Sequence, residues 1–305
     1  MTSPTILVLG KSGQLASALA DQGSGNVVSI GRPDFDLAVP DASQRLLEAF
    51  RPAAVINAAA YTAVDRAESE PELAFALNRD GPATLAKACS RAGVPLIHVS
   101  TDCVFDGTKD GAYHEADIPR PINIYGASKR AGERAVLDAM PSALVVRTSW
   151  TFGPQGESFV TRLLALAQGR DSLTIVGDQH GKPTYAPALA EALLIFAHGM
   201  IGGSKTGGLM HLAGETALSR AEQAQIILDL ARKRGGSWAK VTPIPSSAHP
   251  TAARRPLNAV LDCSLAAKRG IALGPFRRDI DIVLDRLLGP TASTQYQQPE
   301  LSRTS

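Results

Sequence analysis

A short apolar strand runs directly into a glycine-rich turn in residues 5–16, Thr-Ile-Leu-Val-Leu-Gly-Lys-Ser-Gly-Gln-Leu-Ala. Gly10 allows a sharp turn, Gly13 lets the backbone approach a pyrophosphate, and the small Ala16 lets the next helix pack close to the strand. Phosphate groups would lie at the positive N-terminus of that helix. An ordinary strand-to-helix connection is the alternative, but this order of elements favours a dinucleotide site. The predicted contacts here are Gly10, Gly13, Gln14 and Leu15.

Short apolar runs alternate with amphipathic stretches through the first half of the chain. Buried strands that alternate with helices are typical of right-handed βαβ units around a parallel sheet. We therefore predict an α/β fold, a Rossmann-like doubly wound parallel sheet with a smaller α/β substrate-binding domain. The predicted strands are 5–9, 27–30, 53–56, 96–100 and 144–147, and the predicted helices are about 13–22, 41–50, 71–92 and 125–139.

After Trp150 the pattern loosens into shorter elements, with helices near 158–168, 187–198, 219–234 and 278–288 and a strand near 173–176. We predict a dinucleotide-binding domain over residues 1–150, with about 178–205 packing back on it, and mainly a substrate domain over 151–289. Residues 290–305 are rich in Thr, Ser, Gln and Pro, so a disordered tail is predicted there.

Composition excludes several classes of protein. The 31 basic and 29 acidic residues give a net charge of +2 without a run of like charges, so no nucleic-acid partner is expected. Neither a signal peptide nor a run of about 20 apolar residues is present, so we expect a cytoplasmic protein without membrane contact. The three cysteines are widely spaced and the six histidines lack ligand spacing, which predicts no disulfide frame and no metal.

The second predicted strand ends in Ile30-Gly31-Arg32-Pro33. NAD-selective folds place an acidic residue at this point, where it binds the ribose 2′-hydroxyl and repels a 2′-phosphate. Arg32 is instead suited to a bidentate grip on phosphate. We therefore predict that NADPH is preferred and NADH is also used, with a solvated loop charge as the alternative for Arg32. Further predicted cofactor contacts are Asp36 at the adenosine ribose, with Asp34 as its alternative, and the adjacent Leu37.

Small side chains follow the third predicted strand in Asn57-Ala58-Ala59-Ala60-Tyr61-Thr62. At the carboxyl edge of a doubly wound sheet they leave room for a flat ligand, although close helix packing alone also explains three alanines. The predicted cofactor contacts in this segment are Ala59, Ala60, Tyr61 and Thr62.

Catalytic chemistry is indicated by Ser100-Thr101-Asp102 at the end of the fourth strand and by Tyr125 and Lys129 in the following helix. Residues four apart share a helical face, so we expect the ammonium of Lys129 to lower the pKa of Tyr125 toward neutrality. Such a phenol can protonate an alkoxide during carbonyl reduction, while a nicotinamide supplies hydride. The hydroxyl of Thr101 is placed to orient the same carbonyl. A solvated lysine beside a half-buried tyrosine is the alternative.

Together these motifs resemble those of the dTDP-4-dehydrorhamnose reductases, a family of extended short-chain dehydrogenases/reductases. The resemblance covers about residues 5–288, because Arg147-Thr-Ser-Trp150, residues 178–184 and residues 253–256 also match. It implies NAD(P)H-dependent reduction of the 4-keto group of dTDP-4-dehydro-L-rhamnose to dTDP-L-rhamnose, a precursor of cell-surface polysaccharides. It also implies that Tyr125 donates the proton, Lys129 supports it and binds a ribose, and Thr101 is the hydroxyl that matches its pKa.

The resemblance further implies sugar contacts from Thr101, Asp102 and Trp150, and diphosphate contacts from Arg254 and Arg255. Two positions depart from the family pattern. Cys103 stands where an aromatic residue is common, and Ala18 stands where members with a magnesium-bridged dimer have Glu. We therefore expect a monomer or a homodimer without that bridge.

Other functions compatible with these residues are a regulatory subunit that binds the nucleotide without turnover and another extended-family nucleotide-sugar reductase or epimerase.

Overall fold

The computed structural model describes residues 5–23 and 25–291. Its strands are β1 (Ile6–Leu9), β2 (Val27–Ile30), β3 (Ala54–Asn57), β4 (Leu96–Thr101), β5 (Leu144–Thr148), β6 (Thr151–Phe152), β7 (Ser172–Val176), β8 (His180–Gly181), β9 (Thr184–Tyr185), β10 (Gly208–His211), β11 (Leu218–Ser219) and β12 (Lys240–Ile244). Its α-helices are α1 (Gln14–Gln22), α2 (Ala42–Phe50), α3 (Val64–Ala67), α4 (Pro71–Phe75), α5 (Gly81–Ala92), α6 (Ile124–Ala139), α7 (Phe159–Ala167), α8 (Ala186–Ile201), α9 (Arg220–Arg232), α10 (Ser264–Lys268) and α11 (Phe276–Leu288).

The centre of the described part is a six-stranded sheet with the order β10-β5-β4-β3-β1-β2, and every pair in it is parallel. Alternate residues of each strand point to opposite faces, so the apolar strands build a core on both sides. Helices α1 and α8 cover one face, and α2, α5 and α6 cover the other. The predicted α/β fold with a doubly wound parallel sheet is confirmed.

The order of the strands reverses between β1 and β3, since the chain goes from β1 outward to β2 and then returns to the other side of β1. Leu9, the last residue of β1, lies beside Asn57 of β3. Ligands of doubly wound sheets bind outside the carboxyl ends of the strands at such a reversal. The fold therefore brings the glycine-rich turn and the segment after β3 to one place.

All five strands predicted for the first half are present, within a residue or two at their ends. The predicted helix 71–92 is interrupted by a π-helix, Ala76–Asp80. Pro82 has no N–H to donate to the carbonyl of Asn78, and Gly81 donates instead to Ala76, which widens the turn. Strand β10 was not predicted, because Gly208–His211 is too short to show a period of two.

A second apolar core lies in the later half and contains residues of α7, α9, α11, β7 and β12. The assignment of 151–289 to a substrate domain stays a prediction, and helix α8 and strand β10 from that range belong to the central sheet and its covering layer. Of the predicted tail, residues 292–305 lie outside the described residues. Within residues 5–23 and 25–291, no helix is both long and apolar enough to cross a membrane.

Candidate active site

A cleft of about 320 Å³ opens at the carboxyl ends of β1 and β3. It is formed by the glycine-rich turn, the loop after β2 and the segment after β3. Eight of the predicted cofactor residues line it: Gly10, Gly13, Arg32, Asp36, Leu37, Ala59, Ala60 and Thr62. Segments that are distant in the sequence are therefore brought together where the strand order predicts a ligand.

The walls of this cleft fit a dinucleotide because backbone faces it closely. Gly10 has φ +122°, and an added Cβ would lie 3.2 Å from the Cβ of Ala16, so only glycine allows this turn without strain. A Cβ on Gly13 would meet no described atom within 4 Å, so the backbone there is open to a ligand. No described side chain caps the N-terminus of α1. Its first amides are thus available to a pyrophosphate.

Three predicted cofactor residues direct their side chains elsewhere. The amide of Gln14 donates to the carbonyls of Gln155 and Glu157, which ties α1 to the loop before α7. The side chain of Leu15 is buried in the core between the sheet and α8. The hydroxyl of Tyr61 donates to Glu70 at 2.6 Å. The side chains of these three residues are therefore engaged away from the cleft. Their backbone groups are what remains to contact a cofactor.

Two cations border the adenosine end predicted for the cleft. Arg32 is exposed and lines the cleft directly after β2. Lys11 also lines it, but its ammonium pairs with Asp34 at 3.0 Å. Asp34 is thereby engaged by a lysine, whereas Asp36 lies in the lining and accepts a hydrogen bond from the amide of Ala38. Of these two carboxylates, Asp36 is the better placed to contact the adenosine ribose.

The predicted catalytic residues meet at the carboxyl end of β4. Thr101 and Asp102 are buried, and the Thr101 hydroxyl donates to the Asp102 carboxylate at 2.9 Å. Gly126 has no room for a side chain, because an added Cβ would lie 2.1 Å from the carbonyl oxygen of Cys103. This close approach of α6 to the turn after β4 brings Tyr125 beside Thr101.

The expected effect of Lys129 on Tyr125 is wrong for this structure. The ammonium of Lys129 is buried and donates to the carbonyl of Val99 at 2.7 Å. Burial raises the pKa of Tyr125, electrostatic interactions with Cys103 and Asp102 add to the rise, and a hydrogen bond with the Thr101 hydroxyl opposes it. Burial also lowers the pKa of Lys129 to about 8. Desolvation is the largest cause of the shift in the pKa of Tyr125, so Tyr125 holds its proton at neutral pH.

A buried ion pair that the sequence analysis missed lies under the catalytic edge. Arg147 of β5 donates to Glu133 of α6 at 2.7 Å, and both side chains are fully buried. Ser100 donates to the same carboxylate at 2.6 Å. The charge of Glu133 opposes the fall in the pKa of Lys129. The spacing of Tyr125, Lys129 and Glu133 at intervals of four was the available signal.

Asn78, also missed, links the cofactor cleft to the catalytic helix. Its amide accepts a hydrogen bond from the Tyr61 N–H at 2.8 Å and donates to the Tyr61 carbonyl at 3.1 Å. It also donates to the hydroxyl of Ser128 at 2.9 Å, which in turn donates to the carbonyl of Tyr125. The π-helix thus holds the segment after β3 and the start of α6 in one arrangement.

Trp150 follows β5 with φ +45°, in the left-handed region that non-glycine residues rarely adopt. The guanidinium carbon of Arg220 lies 3.4 Å from the centre of its ring. On Gly181 an added Cβ would lie 2.5 Å from the indole, so only glycine leaves room for the ring. Strained residues held by several neighbours are frequent at functional sites.

Arg220 was not predicted, and no local motif marks it. Burial lowers its pKa to about 10, while the carboxylate of Asp102 opposes that change. Burial likewise raises the pKa of Asp102 to about 6. Asp102 and Arg220 therefore interact electrostatically, and Arg220 lies over Trp150, which the resemblance names with Asp102 as a sugar contact.

Known proteins are similar to this chain in sequence over almost its full length. The family model described as the RmlD substrate binding domain matches residues 4–288. A curated relative from Sinorhizobium fredii, named dTDP-4-dehydrorhamnose reductase, is 42% identical over 262 residues, which cover 85% of this chain and 88% of the relative. The chain belongs to the dTDP-4-dehydrorhamnose reductase family. The resemblance found in the motifs is confirmed.

Solved structures named as dTDP-4-dehydrorhamnose reductases have the same fold. One from Clostridium acetobutylicum is similar with a TM-score of 0.86 and 31% identity, over 93% of this chain and 99% of that chain. One from Bacillus anthracis, in complex with NADP, has a TM-score of 0.85 and 29% identity, over 92% of this chain and 98% of that chain. The family assignment and the fold therefore agree.

The two arginines predicted to hold a diphosphate in this reductase family lie beside the start of α6. Arg255 pairs with Asp65 at 2.7 Å, and this contact lowers the pKa of Asp65. Arg254 is exposed, and its carbonyl accepts a hydrogen bond from Asn123 at 2.7 Å. Asn123 also caps α6 through Gly126. The segment is therefore anchored to the catalytic helix, and its role toward a diphosphate stays a prediction.

At the two positions that depart from the family pattern, the side chains are small. Ala18 is buried in the core between α1 and α8. Burial raises the pKa of the Cys103 thiol, with the charge of Asp102 as the next cause. Among residues 5–23 and 25–291, no group of three or more His, Cys, Asp or Glu side chains is arranged to hold a metal ion.

Proposed function

We propose that this chain reduces the 4-keto group of dTDP-4-dehydro-L-rhamnose to give dTDP-L-rhamnose, with NADPH as the preferred reductant and NADH as a second one. One observation carries the proposal: the phenol of Tyr125 and the hydroxyl of Thr101 lie together at the edge of the sheet whose β1–β3 reversal forms the dinucleotide cleft. The names of the relatives support it, as does the NADP complex of the Bacillus anthracis protein.

In this function the cleft holds the dinucleotide along its length. The amides beside Gly10 and Gly13 bind the pyrophosphate, Arg32 binds the 2′-phosphate and Asp36 binds the adenosine ribose. Leu37 and the segment Ala59 to Thr62 enclose the adenosine and the rest of the cofactor. When bound, the reduced nicotinamide supplies hydride to the carbonyl carbon.

Tyr125 donates its proton to the carbonyl oxygen as negative charge develops there. Its raised pKa keeps the proton available at neutral pH. Thr101 orients the carbonyl oxygen, for which its hydroxyl must turn away from Asp102. Lys129 remains the cation that stabilises the phenolate left behind, and its ammonium also binds a ribose hydroxyl of the cofactor.

The substrate is held on the other side of Thr101. Asp102 and Trp150 bind the sugar, and Arg254 and Arg255 bind the diphosphate. We assign residues 1–150 to cofactor binding, with about 178–205 packing back on them, and 151–289 mainly to the substrate domain. The free state of Cys89, Cys103 and Cys263 is compatible with a reducing cytoplasm. We expect a monomer or a homodimer that acts on a small nucleotide-linked sugar, without a nucleic-acid or membrane partner.

The test is to incubate the pure protein with dTDP-4-dehydrorhamnose and NADPH, to follow the oxidation of NADPH and to identify the product. We expect stoichiometric NADPH consumption and dTDP-L-rhamnose. Binding of both ligands without turnover would instead favour a regulatory subunit. A changed sugar without net NADPH consumption would favour an epimerase.

A further inference from the structure

A buried hydroxyl at the end of β5 is not used by any of the roles above. Thr148 is the last residue of β5, and it lies directly beside Thr101 in the register of the parallel pair β4–β5. Its side chain is 7% exposed, and its Oγ1 has no hydrogen-bond partner among the residues that the structure describes. Burial of an unpartnered hydroxyl is unfavourable. At the carboxyl edge of the sheet, beside Thr101, a bound ligand can supply the missing partner.

The alternation of β5 shows which way Thr148 faces. Arg147 points to α6, where it binds Glu133. Val146 belongs to the core on the opposite face, with α1 and α8. Thr148 therefore lies on the face of Val146, and its register partner Thr101 lies on the same face. Neighbouring strands are about 4.8 Å apart, so the two hydroxyls are adjacent at the carboxyl edge.

The order of the strands indicates what reaches this edge. The cleft begins at Arg32 after β2 and passes Gly10 after β1 and Ala59 after β3. A dinucleotide that lies along these positions continues toward β4 and then β5. Its nicotinamide end must meet the carbonyl that Thr101 and Tyr125 hold. The carboxamide of the nicotinamide ring is attached to the carbon next to the one that donates hydride. It then lies about one strand spacing farther on, at Thr148.

We propose that the Thr148 hydroxyl binds the carboxamide of the nicotinamide ring and so fixes the face that the ring presents to the substrate. The inference rests on the proposed function, because it requires a nicotinamide at this edge. The carboxamide has both a donor and an acceptor, and a threonine hydroxyl can serve either. The ring offers no other group for a hydrogen bond, since its nitrogen is bonded to the ribose.

A second buried hydroxyl provides a matched control. Ser43 of α2 is 1% exposed, and its Oγ also lacks a partner in the described part of the chain. It is not part of the lining of the cofactor cleft. Ser43→Ala therefore removes the same kind of atom at a place where the inference assigns no ligand.

The experiment measures equilibrium binding of NADPH and of 2′-phospho-ADP-ribose, which lacks only the nicotinamide ring. We expect Thr148→Val to weaken NADPH binding about three- to tenfold, as loss of one neutral hydrogen bond implies, and to leave 2′-phospho-ADP-ribose binding unchanged. Thr148→Ser and Ser43→Ala should bind both ligands like the wild type. If Thr148→Val fails to fold, the pair Thr148→Ser and Thr148→Ala, which differ only in the hydroxyl, gives the same comparison.

Equal loss of both ligands would overturn the inference, since the hydroxyl would then be structural. Unchanged NADPH binding together with weaker binding of dTDP-L-rhamnose would also overturn it, because Thr148 would then belong to the sugar. In both cases the wild type still binds NADPH, and the proposed function stands. A wild type that binds no NADPH would contradict the proposed function as well.

Discussion

The cofactor cleft and the catalytic edge are built in opposite ways. The cleft consists of backbone and small side chains, with Gly10, Gly13 and Ala59 forming its walls. The catalytic edge consists of buried ionisable side chains, among which Lys129, Asp102 and Glu133 are at most 4% exposed. In the proposed function the first region selects a ligand by shape and by amide groups. The second region holds buried ionisable groups whose burial and charges shift one another's pKa values.

This difference determines how each region responds to substitution. A backbone site tolerates changes of side chain that leave φ and the approach distance intact. An electrostatic site depends on how burial and neighbouring charges shift each pKa, as the opposite shifts of Tyr125 and Lys129 demonstrate. Substitutions in the cleft should therefore change cofactor binding, and substitutions at the edge should change turnover or pH dependence.

The largest effect that would separate the two regions is expected for Tyr125→Phe. Removal of the acidic hydroxyl should lower kcat about 100- to 10,000-fold, because the proton donor is lost while the ring remains. The Kd for NADPH should stay within about twofold of the wild type. Steady-state kinetics and cofactor titration measure both quantities. Tyr185→Phe, at the end of β9, is the control for loss of a tyrosine hydroxyl. Near-normal kcat would remove Tyr125 from the mechanism.

The next largest effect is expected for Arg32→Ala, which tests the cleft alone. A phosphate contact at an exposed site is worth about 1.5–3 kcal/mol, or roughly ten- to a hundredfold in affinity. The ratio of kcat/KM with NADPH to that with NADH should fall by this factor, and kcat should not change. Arg91→Ala is the control, because it removes an arginine charge from α5, outside the cleft. A wild type that favours NADH would contradict the role of Arg32.

Gly10→Ala tests whether backbone geometry makes the cleft. The left-handed φ of +122° and the 3.2 Å approach to Ala16 should cost about 1–3 kcal/mol and displace the turn. We expect about tenfold weaker NADPH binding. Gly93→Ala is the matched control, because Gly93 also has a positive φ, +67°, but no described atom lies within 4 Å of the added Cβ. It should lose stability without losing NADPH affinity. Equal affinity losses in both variants would contradict the prediction.

Arg220→Met tests the substrate side. Loss of the cation over Trp150 should raise the KM for the sugar nucleotide about fivefold, which corresponds to about 1 kcal/mol, and leave the Kd for NADPH unchanged. Arg232→Met is a close control, because Arg232 lies on the same helix, 4.8 Å from the ring of Trp238. If the KM rises equally in both variants, the effect belongs to the stability of α9 and not to the substrate.

The smallest effect concerns pH. Lys129 loses its charge as pH rises through about 8, whereas the raised pKa of Tyr125 keeps the phenol protonated there. We expect kcat/KM to be about half of its maximum near pH 8 and to fall further above it. The unfolded lysine binds its proton more tightly, so the free energy of unfolding should rise between about pH 8 and 10.5. Rate profiles that stay flat to pH 9.5 would contradict this assignment.

The amino-acid sequence by itself determined the strand and helix order of the first half, the glycine-rich turn and the placement of Tyr125 and Lys129 four residues apart on one helix. These features depend on local periodicity and on spacing along the chain, which the sequence displays directly. Together with the motifs at residues 57–62, 100–102, 147–150, 178–184 and 253–256, they were sufficient for the family assignment.

Only the tertiary structure decided the electrostatics of the site. Arg220 and Asn78 come from α9 and from the π-helix, and no local pattern links them to Thr101. Glu133 shares α6 with Tyr125 and Lys129, but that spacing does not show its pairing with Arg147. The prediction for the pKa of Tyr125 failed for the same reason. It considered one neighbouring charge, whereas the shift depends on how much water the whole fold removes from the hydroxyl. Burial is a property of packing between distant segments, so it can be read only after the chain has folded.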